Sequence, residues 1–123
     1  MNMSRADRSD PLRQAACARL AEVAVAATAH LPAAILRTPG RGHPRVALAR
    51  QTAMYLAHVA FGLTLSRVGI CFGRDRTTVR HACARIEDRR DDPTEEFALA
   101  ALEAGLLALT GALGAMPTEE VCS

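Results

Sequence analysis

The segment from Arg74 to Cys83 constrains the fold of this chain more than any other, because it has the pattern of a capped amphipathic helix. Asp75 is a residue type favoured at helix N-caps, and Thr77 and Thr78 follow it in the first turn. An apolar stripe repeats at helical spacing through Val79, Ala82, Cys83 and Ile86. The opposite side carries Arg76, Thr77, Arg80, His81 and Arg85. Arginines and hydroxyls at a helix N-terminus suit contacts with phosphates and base edges together.

The residues before this helix predict its partner in a helix-turn-helix. Residues 64–71 have the length of a short helix, with Leu65 and Val68 expected on its buried side. Phe72-Gly73 predicts a turn, and the longer basic helix then runs from Asp75 to about Arg89. A short helix, a glycine turn and a longer basic helix together predict a helix-turn-helix over residues 64–89.

The rest of the chain predicts an all-α fold, because the composition is rich in Ala, Leu, Arg and Glu. A first helix is expected from Asp10-Pro11 to about Ala29, and another from about Arg45 to Ala60 before Gly62. The first is expected to bury the side chains Leu12, Ala16, Leu20 and Val23. Residues 37–45 form a basic loop punctuated by Pro and Gly, which suits an ordinary connector or a minor-groove contact.

With 123 residues, the chain is long enough for one core. We predict a compact domain of five to six helices at residues 10–90, and an additional helix at residues 91–114 that begins at Pro93. The flanking residues 1–9 and 115–123 are expected to be flexible. The leucines of the last helix suit either the core or a protein partner.

Positive charge is concentrated in the middle of the chain. The net charge is only +2, yet residues 37–90 hold eleven arginines against Asp75, Glu87 and Asp88. This concentration suits a phosphate-binding surface, although it also suits a solvated charged face. The chain has no Trp, one Tyr and three Phe, so it lacks the aromatic platforms on which single-stranded binders stack bases. Double-stranded DNA is therefore the favoured nucleic-acid partner.

Several other classes of function are disfavoured. The four cysteines form no CxxC pair and no regular spacing, so neither a metal site nor a disulfide framework is expected. No uncharged apolar run is long enough to span a membrane, and the polar start does not resemble a signal peptide, so we expect a cytoplasmic protein. Asp75 and His81 lie almost two helical turns apart and cannot form an acid/base pair. We therefore expect no enzymatic activity and no cofactor.

Two motifs in the same order and spacing resemble the C-terminal DNA-binding domain of DnaA, the bacterial chromosomal replication initiator. The first runs from Ala49 to Ala57, and the second is the sequence from Arg74 to Cys83. Between them, the shared positions are Leu65, Val68-Gly69 and Phe72-Gly73. The resemblance covers about Arg41 to Ile86 and implies the Trp-repressor-like helix-turn-helix fold of DnaA domain IV.

The resemblance also implies how the chain binds DNA. In the family, the recognition helix contacts the major groove of a nine-base-pair box, and the basic loop contacts the adjacent minor groove. The base-contacting positions expected here are Asp75, Arg76, Thr77 and Arg80. Contacts with the DNA backbone are expected from Arg50, Gln51, Leu65, Ser66, Arg67, Arg74, Thr78 and His81. Arg41 or Arg45 is expected to enter the minor groove, while Asp75 and Thr78 also suit a purely structural role at the helix start.

Some positions depart from the family pattern. Arg76 stands where the family usually has a base-contacting His, and Arg favours guanine or phosphate. The turn has only Gly73 before Arg74, where the family has a second Gly. Ser66 and Arg67 replace a Pro-Glu pair, which adds positive charge near the DNA backbone. These departures keep the expected mode of binding but do not define the exact DNA site.

The chain has no P-loop motif and no Lys at all, so neither nucleotide binding nor ATP hydrolysis is expected. The leading hypothesis is a stand-alone protein that binds initiator-type boxes in duplex DNA and regulates replication initiation or transcription. The alternative is a protein-interaction module that recruits an initiator or another regulator through its C-terminal helix.

Overall fold

A computed structural model describes residues 10–40 and 42–122, with side chains described as far as Gly111. Five α-helices and one short 3-10 helix make up the secondary structure of these residues, in agreement with the all-α prediction. The helices are α1 (Pro11–Ala29), α2 (Pro44–Val59), α3 (Leu65–Phe72), α4 (Arg76–Arg89) and α5 (Pro93–Cys122). The 3-10 helix spans Ala33–Arg37, between α1 and α2.

Helix α2 forms the centre of the domain. It contacts α1, α3, α4 and the 3-10 helix. Five consecutive residues of α2, Ala53 to Ala57, are buried, as expected for a helix with neighbours on every side. Ala49, Ala53 and Ala57 of α2 and Ala18 and Ala21 of α1 are all buried. Their small side chains let these two helices approach closely.

The predicted inward face of α1 is wrong. Leu12 is 79% exposed, Val23 is also exposed, and Ala16 lies on the surface, while only Leu20 packs against the core. The buried face instead contains Cys17, Ala18, Ala21, Glu22, Val25 and Ala26. Apolar residues lie around the whole circumference of α1, so periodicity alone did not select the buried face.

The helix-turn-helix has the predicted elements, and each boundary has a local cause. The Thr64 hydroxyl caps α3 by accepting the backbone N–H of Arg67, 3.1 Å away. Gly73 ends α3 in the left-handed conformation with φ of 68°, which favours glycine. Asp75 then caps α4, as predicted. A turn of only three residues therefore connects α3 to α4.

Helix α5 is longer than predicted, and it packs against α1. It begins at Pro93 as expected but continues to Cys122, beyond the predicted end at residue 114. Its Ala, Leu and Met residues favour helix, and a single Gly costs only about 1 kcal/mol, so the glycines do not end it. The side chains beyond Gly111, and residues 1–9, for which a flexible segment is predicted, lie outside the described part of the chain.

Candidate nucleic-acid interface

The N-terminal end of α4 presents a polar face above a buried apolar stripe. Asp75 Oδ1 accepts the backbone N–H of Thr78 at 2.7 Å, and this hydrogen bond lowers the pKa of the Asp75 carboxyl below its ordinary value. Val79, Ala82 and Ile86 are buried beneath the helix, as predicted. Cys83 is half-buried, and its burial raises the pKa of its thiol to about 11. The apolar stripe therefore fixes which side of α4 faces outward.

The four predicted base-contacting residues all lie on this exposed surface. Asp75, Arg76, Thr77 and Arg80 are exposed, and the last three lie within one helical turn of each other. The guanidinium groups of Arg76 and Arg80 have no hydrogen-bond or ion-pair partner among the described residues. Their donors are available to an acceptor outside the domain. One carboxylate oxygen of Asp75 accepts the capping hydrogen bond, so Asp75 stabilises the helix start whether or not it also contacts a base.

A second group of predicted residues surrounds the start of α3. Ser66 is exposed, while Leu65 and Arg67 are half-buried. The Thr64 cap binds the N–H of Arg67, and the first backbone N–H groups of a helix have no partner within the helix. An anion is stabilised at such a helix end. His81, which is also predicted to contact the DNA backbone, is exposed on α4.

A polar groove brings together predicted residues from distant parts of the sequence. Gln51 of α2, Arg74 of the turn and Thr78 of α4 line it together with Gly40 of the basic loop. Arg85 of α4 also lines the groove, and its Nη1 donates to Gln51 Oε1 at 2.7 Å. The groove therefore lies between the basic loop and α4.

Arg50, which is predicted to contact the DNA backbone, is almost fully buried. Its side chain is only 4% exposed, and its Nε donates to the carbonyl of Leu36 at 2.8 Å. Burial lowers the pKa of the Arg50 guanidinium, and the nearby charge of Arg74 acts in the same direction. Arg50 forms part of the groove wall but is directed towards the 3-10 helix. In this structure it supports the start of the basic loop.

Of the two arginines predicted for the minor groove, Arg45 lies among the described residues. Arg45 lies in the first turn of α2, where its Nη2 donates to the carbonyl of Ala29 at 2.7 Å. That carbonyl belongs to the last residue of α1, where backbone acceptors lack partners within the helix. Arg41 lies outside the described residues.

Ion pairs within the domain reduce the number of arginines that can contribute to a positive surface. Arg37 donates to the buried Glu22 at 3.0 Å. Arg89 pairs with Glu95 at 3.2 Å, and Arg90 pairs with Glu96 at 2.6 Å. These arginines bind carboxylates within the domain. Within residues 37–90, the described arginines that have no carboxylate partner lie on α2, α3, the turn and α4, and they are Arg45, Arg67, Arg74, Arg76, Arg80 and Arg85.

A known family matches this part of the chain. The sequence profile described as "Bacterial dnaA protein helix-turn-helix" matches residues 22–86, which is more than half of the 123 residues. The chain belongs to this family. The matched range begins within α1 and ends within α4, so it contains every candidate DNA-contacting residue discussed above.

Curated DnaA proteins match about half of this chain. The chromosomal replication initiator protein DnaA of Bifidobacterium animalis subsp. lactis is 48% identical over 60 residues, which are 47% of this chain and 10% of that protein. The DnaA protein of Mycobacteroides abscessus is 40% identical over 62 residues, which are 50% of this chain and 12% of that protein. The chain therefore spans about a tenth of the length of these DnaA relatives.

Two interior polar clusters of this DnaA-family domain were not predicted from the sequence. Glu22 is 1% exposed, accepts a hydrogen bond from Arg37 and forms an ion pair with Arg19. The buried Tyr55 donates its hydroxyl to Glu87 and accepts from Arg90. Two features of the sequence could have indicated these clusters. One is an acid within the apolar stretch of α1, and the other is a single Tyr in an alanine-rich helix.

The described residues also bear on a metal site and on a membrane-spanning segment. No group of three or more His, Cys, Asp and Glu side chains in this part of the chain is arranged to hold a metal ion. Within the same part, no helix is long and apolar enough to cross a membrane.

Proposed function

We propose that this chain binds double-stranded DNA at DnaA-box-like sites in a sequence-specific manner, with α4 in the major groove. The observation that carries the proposal is the exposed face of Arg76, Thr77 and Arg80 above a buried stripe. Arginine donates to the guanine edge, and the methyl group of threonine packs on thymine. Both arginines lack a partner among the described residues, so DNA binding would not break an internal contact.

The groove and the start of α3 support the proposed contacts with the DNA backbone. Leu65, Ser66 and Arg67 lie at one helix start, and Thr78 and His81 lie on α4. Gln51 takes part from the groove wall. Contacts of this kind fix the orientation of a protein on DNA without selecting a sequence. Since Arg50 is buried, its proposed contribution is indirect, through the loop that it supports.

DNA recognition by these residues requires neither catalysis nor a nucleotide. The matched family is a helix-turn-helix family, and the sequence of this chain contains no P-loop lysine. In the proposed mechanism, the chain therefore acts only by occupying its DNA site. In the cytoplasm of a bacterium, such occupancy would regulate replication initiation at origin boxes or transcription at related promoter sites.

Selection from a random duplex library tests the proposal directly. The protein would be incubated with duplexes that contain a randomised segment, and bound molecules would be sequenced after several rounds. We expect enrichment of a motif related to the nine-base-pair box, with altered preference at the position facing Arg76. Enrichment of no motif would contradict sequence-specific binding. Genome-wide occupancy would then distinguish origins from promoters.

A second function is supported by exposed apolar side chains of α5. Phe97 is 77% exposed, and Leu107 and Leu109 are also exposed on the same helix. Large apolar side chains on a surface mark candidate protein contacts. Under this alternative, the domain would recruit an initiator or another regulator through α5. Phe97→Ser would then abolish co-purification with DnaA while leaving duplex binding unchanged, whereas unchanged co-purification would refute this alternative.

A further inference from the structure

Arg74 connects the turn of the helix-turn-helix to the basic loop. Its Nη2 donates to the carbonyl of Thr38 at 2.9 Å and to the carbonyl of Gly40 at 3.0 Å. Its Nη1 donates to the carbonyl of Gly73 at 3.3 Å, within its own turn. Both loop acceptors lie more than thirty residues earlier in the chain. One side chain therefore holds the loop backbone next to the start of α4.

Other contacts hold both ends of the loop, and at its far end Arg45 donates to the carbonyl of Ala29. Arg37 pairs with the buried Glu22, and Arg50 donates to Leu36. Beyond Arg37, Gly40 adopts φ of 83°, a left-handed conformation that side-chain-bearing residues rarely occupy. The first residue of the loop is thus fixed to the core. The middle of the loop is held by Arg74, which binds the carbonyl of Gly40.

We infer that Arg74 is a positioning residue, which holds the basic loop at a fixed distance from α4 so that both grooves of the DNA are contacted together. The inference rests on the proposed function and replaces the direct phosphate contact predicted for Arg74. Both donors of Nη2 are directed at loop carbonyls, so they do not face outward to a phosphate. A loop fixed in advance binds with less loss of conformational freedom than a mobile one.

Minor-groove discrimination distinguishes a positioning residue from a phosphate contact. In a box-like duplex, single A·T pairs would be replaced in turn by G·C and by inosine·C. Inosine lacks the guanine N2 amino group, the donor that distinguishes G·C in the minor groove, but retains the major-groove acceptors. The ratio of Kd for the G·C duplex to Kd for the inosine·C duplex therefore reports minor-groove contact alone. Wild-type protein is expected to give a ratio of about ten at the pair facing the loop.

Two variants perturb the contact between Arg74 and the basic loop, one on each side of it. Arg74→Ala removes the donors, while Gly40→Ala strains the loop without changing charge, because φ of 83° disfavours a side chain even though an added Cβ meets no atom within 4 Å. Both variants are expected to lower the ratio to about one, while preference at base pairs facing α4 is retained. Arg67→Ala is the matched control, because loss of a proposed phosphate contact weakens all duplexes alike and lowers the salt slope.

The outcomes separate this inference from the proposed function. Uniform weakening of every duplex by Arg74→Ala, with the wild-type ratio retained, would show a phosphate contact and overturn the inference. A ratio of one for the wild-type protein at every position would overturn it as well. Gly40→Ala leaves the turn intact, so an unchanged ratio in this variant overturns the inference even if Arg74→Ala does not fold. Equal affinity for box and shuffled duplexes would instead refute the proposed function itself.

Discussion

The approach of α3 to the turn before α4 leaves no room for a side chain at Gly69. An added Cβ at this position would lie 2.4 Å from the carbonyl oxygen of Arg74, and real Cβ atoms essentially never approach closer than 3.0 Å. The obstructing atom is backbone, so it cannot rotate away. The Gly69 carbonyl also accepts the N–H of Arg74 at 2.8 Å, which ties the two segments together. Gly69→Ala therefore requires the turn to move by about 0.6 Å or more.

The expected magnitude follows from two opposing effects. Forcing extra atoms into a packed site costs about 1–3 kcal/mol. Alanine in a helix is favoured over glycine by about 0.5–1 kcal/mol, which offsets part of this cost. We expect Gly69→Ala to lower the free energy of unfolding by about 1–2 kcal/mol, as a net effect of these two contributions. Affinity for a box duplex is expected to fall as well, because α4 must shift with the turn.

Urea unfolding followed by circular dichroism measures this change, and Gly105→Ala provides the matched control. Gly105 also lies within a helix, but an added Cβ there meets no atom within 4 Å. The same substitution is therefore expected to raise the free energy of unfolding by about 0.5–1 kcal/mol at this position. The reasoning is refuted if Gly69→Ala stabilises the domain as Gly105→Ala does.

Three further predictions concern α4 and the polar cluster beneath it. Thr77→Ala is expected to lose about 1–3 kcal/mol of discrimination at one base pair, measured by anisotropy on single-substitution duplexes; equal weakening of all duplexes would contradict a base contact. Tyr55→Phe removes two hydrogen bonds to charged partners and is expected to cost about 1–3 kcal/mol in urea unfolding, whereas an unchanged midpoint would argue against the cluster. The lowered pKa of Asp75 means that its carboxylate stabilises the fold above about pH 4 and loses this effect as the pH falls through the lowered pKa. The stability difference between wild type and Asp75→Ala should therefore shrink in acid, and a constant difference from pH 7 to pH 2.5 would contradict the cap.

The starts of α1, α3 and α4 and the end of α3 were predictable because their causes are local. Asp10, Thr64 and Asp75 each accept a backbone N–H two or three residues later, and Gly73 supplies a left-handed residue. The stripe of α4 was also predictable, because its polar and apolar residues alternate with a clear helical period. Helix α1 lacks such a contrast, and its buried face was predicted incorrectly.

The roles of the arginines were less predictable, because each depends on an acceptor far away in the sequence. A resemblance places Arg50 among residues that contact DNA, but the carbonyl of Leu36 determines where its guanidinium lies. Arg89 and Arg90 add to the positive charge of residues 37–90, yet glutamates of α5 pair with them. A count of charges in a segment does not say which of them meet an opposite charge after folding.

Salt-dependent binding of a DnaA-box duplex and a shuffled duplex of the same composition tests the central claim most directly. Fluorescence anisotropy would give Kd for both duplexes from about 50 to 200 mM salt, a range over which phosphate contacts weaken markedly. We expect a steep salt dependence for both duplexes, with roughly five or more phosphates neutralised. The box is expected to bind more tightly at every salt concentration. Equal affinity for the two duplexes throughout would contradict sequence-specific recognition by α4.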